Sequence, residues 1–136
     1  MTMEFNPLID AYRQRLEAFH KEIETICALP GGAQKKKIPV SPSYQDEVII
    51  PVYRSLATEM PGYKIKIPNP KTYFPIKGYY RIKVGITTVG GFSTPEGNDF
   101  SLYFTPMRHA NPTGKRNKIN TTEELVQLIK NQLETE

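Results

Sequence analysis

Apolar residues recur at Ile9, Tyr12, Leu16, Phe19, Ile23 and Ile26, spaced alternately three and four apart. That spacing places all six on one face of an α-helix. Asn6 is a good N-cap, Pro7 suits the first helical position and Asp10 lies in the first turn. Pro30 and the Gly31–Gly32 pair end the element, so a helix is predicted to about Ala28. The same spacing is also a coiled-coil seam, so the stripe serves either the core or a dimer contact.

Residues 31–62 read as a basic loop followed by a second helix. In "PGGAQKKKIPVSPS" glycine and proline break any periodicity. Ser43 followed by Asp46 has the form of a helix start, and Val48, Ile49, Val52, Tyr53, Leu56 and Met60 share one helical face. Pro51 lies inside this segment and removes one hydrogen bond, so a kink or restart is expected there. The β-branched run "VIIPVY" leaves an edge strand as the alternative.

From Tyr63 the period becomes two, and residues 63–107 read as a small antiparallel sheet of about three strands. "YKIKI" turns Tyr63, Ile65 and Ile67 to one side and Lys64 and Lys66 to the other. "YYRIKVGITTV" turns Tyr80, Ile82, Val84 and Ile86 inward, with Tyr79, Arg81, Lys83 and Thr87 outward. "FSLYFT" buries Phe100, Leu102 and Phe104 and exposes Ser101, Tyr103 and Thr105. "PNPKTYFP" is an irregular loop, and "VGGFSTPEGND" a long hairpin connection. Residues 108–136 follow as a basic loop and a C-terminal helix. Thr121 and Glu124 form a capping box there, and Leu125, Leu128, Ile129 and Leu133 form one apolar stripe. The expectation is a single α+β domain, with two N-terminal helices, the sheet, and the last helix packed on its apolar face.

Composition narrows the setting. The 136 residues are 38% hydrophobic and 24% charged, an ordinary globular mix without an apolar run long enough for a membrane span. "MTMEFNPLIDAY" lacks a secretory pattern, and Cys27 stands alone without a disulfide partner, which points to an intracellular, cytoplasmic protein without membrane contact. Charge is uneven. Residues 1–30 hold three Lys/Arg against five Asp/Glu, residues 31–118 fourteen against five, and residues 119–136 one against four. A net of +9 in the middle is thus concealed by an overall +4.

Candidate chemistry follows that charge. His20 adjoins the apolar stripe of a helix, and His109 in "MRHANP" has no second histidine at a recognisable spacing. Cys27, in an apolar context at a helix end, has the character of a packing residue. Glu96 and Asp99 in "PEGND" are a solvated turn, and no metal or cofactor is implied. Glycines in "VGGF" and "PGGAQKKK" lack the strand-turn-helix setting of a phosphate loop. What remains is a surface of cations and aromatic rings. Lys64, Lys66, Tyr79, Arg81, Lys83 and Tyr103 fall on the outward sheet face, and Arg108, His109, Lys115, Arg116 and Lys118 on the adjoining loop. Lys35, Lys36 and Lys37 would extend it. Cations bind phosphate oxygens and tyrosine rings stack bases.

Residues 100–129, "FSLYFTPMRHANPTGKRNKINTTEELVQLI", resemble the strand, Gly-Lys-rich turn and capped helix that end methyl-CpG-binding-type domains. Where those domains carry a basic loop before the strand, this chain has the acidic "PEGND". The functional expectation is a non-enzymatic binding module for a polyanion, nucleic acid foremost, through the basic face and loop. The alternatives are a protein-interaction or inhibitor module, dimeric through the first helix, and a small enzyme or binder acting on a phosphorylated ligand.

Overall fold

Asn6–Ala28 form the first helix, α1, in a computed structural model that describes residues 3–28, 40–69, 71–109 and 111–134. Lys35, Lys36 and Lys37 lie outside the described residues. Ile9 and Tyr12 are buried in the main core and Leu16 packs against it, so the N-terminal half of the stripe faces inward. The ring of Tyr12 stands edge-on to those of Tyr44 and Phe100, at centroid distances of 5.3 and 5.4 Å. Cys27, read from the sequence as a packing residue, is exposed. It follows Ile26 by one residue, which turns it about 100° away from the apolar stripe.

The second helix starts where Ser43 Oγ accepts from the Asp46 N–H at 3.3 Å. Its first turn, Gln45–Ile49, is π-helical, and the Ile50 N–H reaches back five residues to the Gln45 carbonyl. The regular helix α2, Ile50–Glu59, follows directly, with Pro51 in its first turn. Pro51 has no N–H to give, and the wide turn immediately before it carries the chain past the missing bond. The segment is therefore helical throughout and not an edge strand. Val48, Ile49, Val52, Leu56 and Met60 are all buried on the predicted face.

The sheet is antiparallel in the order β1 (Tyr79–Val84), β2 (Thr87–Ser93), β3 (Tyr103–Arg108), with β4 (Asn111–Pro112) and β5 (Asn117–Lys118) both pairing with β3. Its apportioning differs from the alternation in four places. Tyr63–Ile67 joins no ladder: the Ile65 N–H turns back to the Tyr63 carbonyl, and the Gly85 N–H donating to the Lys64 carbonyl ties the segment to the hairpin. The run from Tyr79 to Val89 breaks at Gly85–Ile86, where φ is +65° at Gly85 and not positive at Ile86, the pattern of a type II′ turn. Ile86, expected inward, is 97% exposed at the turn tip. Val89–Ser93, expected as loop, is instead part of the central strand. A bulge between Ile82 and Lys83 leaves Val89 as the extra residue, fully buried. Thr105, expected on the wet face, is 2% exposed.

The inner face carries Tyr80, Ile82, Phe92, Leu102 and Phe104, all buried. The C-terminal helix α3 (Thr122–Glu134) meets β2, β3 and α2 and contributes buried Leu125 and Ile129 to the same core. Its capping box forms as expected: Glu124 N–H donates to Thr121 Oγ1 at 3.3 Å, and Asn120 N–H to the Glu124 carboxylate at 2.9 Å. The N-terminal residues zip against this helix start. Phe5 N–H donates to the Asn120 carbonyl and Thr122 N–H to the Met3 carbonyl, while the buried Thr122 hydroxyl lies 3.0 Å from Ser55 Oγ of α2. Among the described residues no helix is long and apolar enough to cross a membrane.

Side chains close the free edge of β1. Tyr73 Oη donates to the Arg81 carbonyl, and Tyr53 Oη donates to the Lys83 carbonyl at 3.2 Å and accepts from its N–H at 3.0 Å. These phenols occupy the position that a strand from Tyr63–Ile67 would need, which is why that segment stays unpaired.

Gly90 and Gly91 sit mid-strand in β2 for a packing reason. A Cβ on Gly90 would enter the ring of Phe104 and come within 2.7 Å of the Thr105 carbonyl oxygen, which is backbone and cannot swing aside. Gly90→Ala should therefore cost about 1–3 kcal/mol in chemical denaturation, as overpacked cores do. An unchanged unfolding midpoint would show that this contact is slack.

Candidate functional site

Two clefts flank the turn before β1 and share no lining residue. The first, about 450 Å³, is lined by Lys66, Arg81 and Lys83 together with the rings of Tyr53, Tyr73 and Phe74. Phe74 is 66% exposed, an aromatic ring presented to solvent from the proline-rich loop. No carboxylate is among the described residues that line this cleft. Three like charges around one concavity repel one another, and an anion relieves that repulsion. Burial raises the pKa of Tyr73 well above the usual phenol value and raises that of Tyr53. The hydroxyls therefore stay protonated and keep donating to the β1 carbonyls.

The second cleft, about 410 Å³, lies on the outward face of the sheet. Arg81, Gly91 and Thr105 stand in one row across the strands, and Tyr79 and Ser93 in the next. Tyr79, Ser93 and Thr105 line the cleft with Lys77, Thr94, Glu96 and Arg116. Lys77 (φ 54°) and Gly78 (φ 84°) are the central pair of a tight turn closed by hydrogen bonds between Ile76 and Tyr79. The guanidinium of Arg116 lies 4.2 Å from the centroid of the Tyr103 ring, and Tyr103 Oη donates to Asp99 at 2.8 Å. That bond, first, and the Ser101 N–H, second, hold the Asp99 carboxyl below its usual pKa, while the same bond raises that of Tyr103.

The predicted residues are thus partly gathered. Lys66, Arg81 and Lys83 meet in the first cleft; Tyr79 and Arg116 meet in the second, with Tyr103 beneath the guanidinium. Lys64 is exposed and lines neither. Arg108 and His109 lie at the β3–β4 turn, where His109 has φ 52° and neither residue reaches either cleft. Lys115 is exposed in the β4–β5 connection. Lys118 lines a separate depression with Glu123 and Glu124 at the start of α3, whereas Arg116 lines the second cleft. The helix start itself is taken up by the capping box.

Tyr53, Tyr73, Phe74 and Lys77 were invisible as a group because they come from α2, a loop and a turn. "YFP" in a polar, proline-rich stretch and "KG" immediately before a strand were the available signals. Thr105 carried none. Among the described residues no three His, Cys, Asp or Glu side chains converge as a metal site. The chain matches no protein family, no curated protein and no solved structure.

The phenol edge makes a pH prediction. A phenol whose pKa is higher folded than unfolded contributes stability that is full below about pH 10, the unfolded value, and is lost as pH rises through the folded one. Tm should be level to about pH 9 and fall above about 10. Tyr73→Phe should lower stability at pH 8 by about 1 kcal/mol, the Arg81 carbonyl losing its phenol, and make the alkaline decline shallower. An equally steep decline in the variant would locate the alkaline sensitivity elsewhere.

Proposed function

We propose that the protein is a non-enzymatic binding module for single-stranded nucleic acid, gripped along the outer edge of the sheet. The first cleft carries this reading: three cations, exposed and partly buried aromatic rings, and no acid among the described lining residues. Lysine and arginine neutralise backbone phosphates, and a solvent-facing ring offers a stacking surface to any base. A flexible strand suits the site better than a duplex, whose bases are already stacked and turned inward. The second cleft, on the other side of the turn before β1, adds Lys77, Tyr79 and Arg116. Tyr53 and Tyr73 belong to the framework, since their hydroxyls are engaged with β1, whereas Phe74 is the ring open to a ligand.

The test is fluorescence anisotropy with a labelled single strand of about ten nucleotides, within the site sizes such modules cover. Binding should weaken with salt, with a log–log slope near −2 for about three phosphate contacts. Lys66→Ala, Arg81→Ala and Lys83→Ala together should flatten that slope with the fold intact, because Lys66 and Lys83 are exposed, Arg81 is half-buried, and charges so placed contribute little to folding. Phe74→Ala should cost about 1–3 kcal/mol of binding with little dependence on base identity. An oligonucleotide that fails to bind at about 50 mM salt, or a triple variant that binds like wild type, sinks the proposal.

A further inference from the structure

We propose that the second cleft is a site for a phosphate monoester, recognised through Lys77, Arg116 and a cluster of hydroxyls that includes the buried Thr105. The inference does not rest on strand binding in the first cleft. Its starting point is a polar atom in the wrong company. Thr105 is 2% exposed, and its Oγ1 has no hydrogen-bond partner among the described residues. Buried hydroxyls are nearly always partnered, because stripping water from one without replacement is unfavourable. Valine or isoleucine would fill a strand position of this size without that penalty. The register puts Thr105 on the outward face, level with Arg81 and Gly91, and Thr105 is among the residues that line the cleft.

The rest of the lining is what a tetrahedral dianion needs. Ser93 and Thr94 bring two further hydroxyls, and Lys77 and Arg116 bring charge from opposite sides of the sheet: the turn before β1 and the connection before β5. Arg116 is held by its stacking on Tyr103, so little of its freedom remains to be lost on binding. Arginine and hydroxyl donors together match phosphate oxygens better than they match a carboxylate, which has fewer acceptor positions. Glu96 also lines the cleft. Its carboxylate repels phosphate oxygens and accepts from hydroxyls, which favours an ester whose alcohol carries hydroxyls, such as a sugar, over a bare anion. Both a small sugar phosphate and the 5′-phosphate of a strand have this chemistry.

The experiment is an NMR titration of the 15N-labelled protein with phenyl phosphate and, in parallel, with ribose 5-phosphate. A second arm compares a 5′-phosphorylated oligonucleotide with its 5′-hydroxyl counterpart. Both esters should shift the amides of Lys77, Gly78, Thr94 and Thr105, with ribose 5-phosphate the tighter. Arg116→Gln should weaken binding about tenfold or more, the loss of one charge-assisted contact. Thr105→Val, nearly isosteric, should weaken it as well. A higher affinity for the 5′-phosphorylated strand identifies a strand end as the source, and equal affinities identify a small ester; both uphold the site. No amide shift with either ester up to about 10 mM, together with equal oligonucleotide affinities, overturns it. Unaltered ester binding in Thr105→Val also overturns it, since the hydroxyl would then be merely buried. Oligonucleotides that fail to bind at all while the esters do would instead overturn the strand-binding reading and leave this one standing.

Discussion

The ring of Phe104 lies where a side chain on residue 90 would be, and both faces of the sheet are organised around that fit. On the inner face the bare backbone of β2 lets an aromatic from β3 settle directly onto the neighbouring strand. Phe92, Leu102, Leu125 and Ile129 then complete the same core. On the outer face the next residue, Gly91, has Met107 Cε and Tyr79 Cβ about 3.1 Å from where its own Cβ would be. A side chain at Gly90 would push apart strands that are otherwise held in register by their ladder, and one at Gly91 would require its close neighbours to give way slightly. The central strand gives up β-propensity at two positions to gain close packing on two faces.

The second organising feature is the edge of β1. An unpaired strand edge invites another chain, and here three hydrogen bonds from two phenols occupy it. The same bonds fix the backbone at Arg81 and Lys83, the residues whose side chains enter the first cleft. A device that keeps the sheet from growing therefore also sets the spacing of its cations. Closure of the edge and placement of the cations thus rest on one set of contacts, with the phenols inside and the charges outside.

Much of this could be read from the residues alone, and what could not has a common cause. The limits of α1 and α3 and the Thr121–Glu124 box were legible because helices are specified by neighbours a few residues away. The inner face of β1 was legible for the same reason. Ile86 misled because it keeps the alternation going while Gly85 turns the chain. Tyr63–Ile67 misled because alternation describes a strand's faces and says nothing of whether an edge is free to receive it. The paired glycines read as a loop because the partner that needs their emptiness, Phe104, is fourteen positions away from Gly90. The clefts suffered most, since Lys66, Phe74 and Arg81, or Lys77, Thr105 and Arg116, meet only once the sheet exists.

The zip between Met3–Phe5 and Asn120–Thr122 has a consequence in time. Hydrogen bonds that span 119 residues cannot form on a chain still being synthesised until α3 has begun to emerge. Through most of translation α1 can coil and lean on the aromatic cluster around Tyr44, but its first turn has nothing to lock onto. High sequence separation of this kind slows folding, because a long loop must close before the contact repays it. The two ends of the fold thus act as a latch that closes late: the hub at Thr122, joined to α2 through Ser55, is the joint by which segments far apart in the chain become one body.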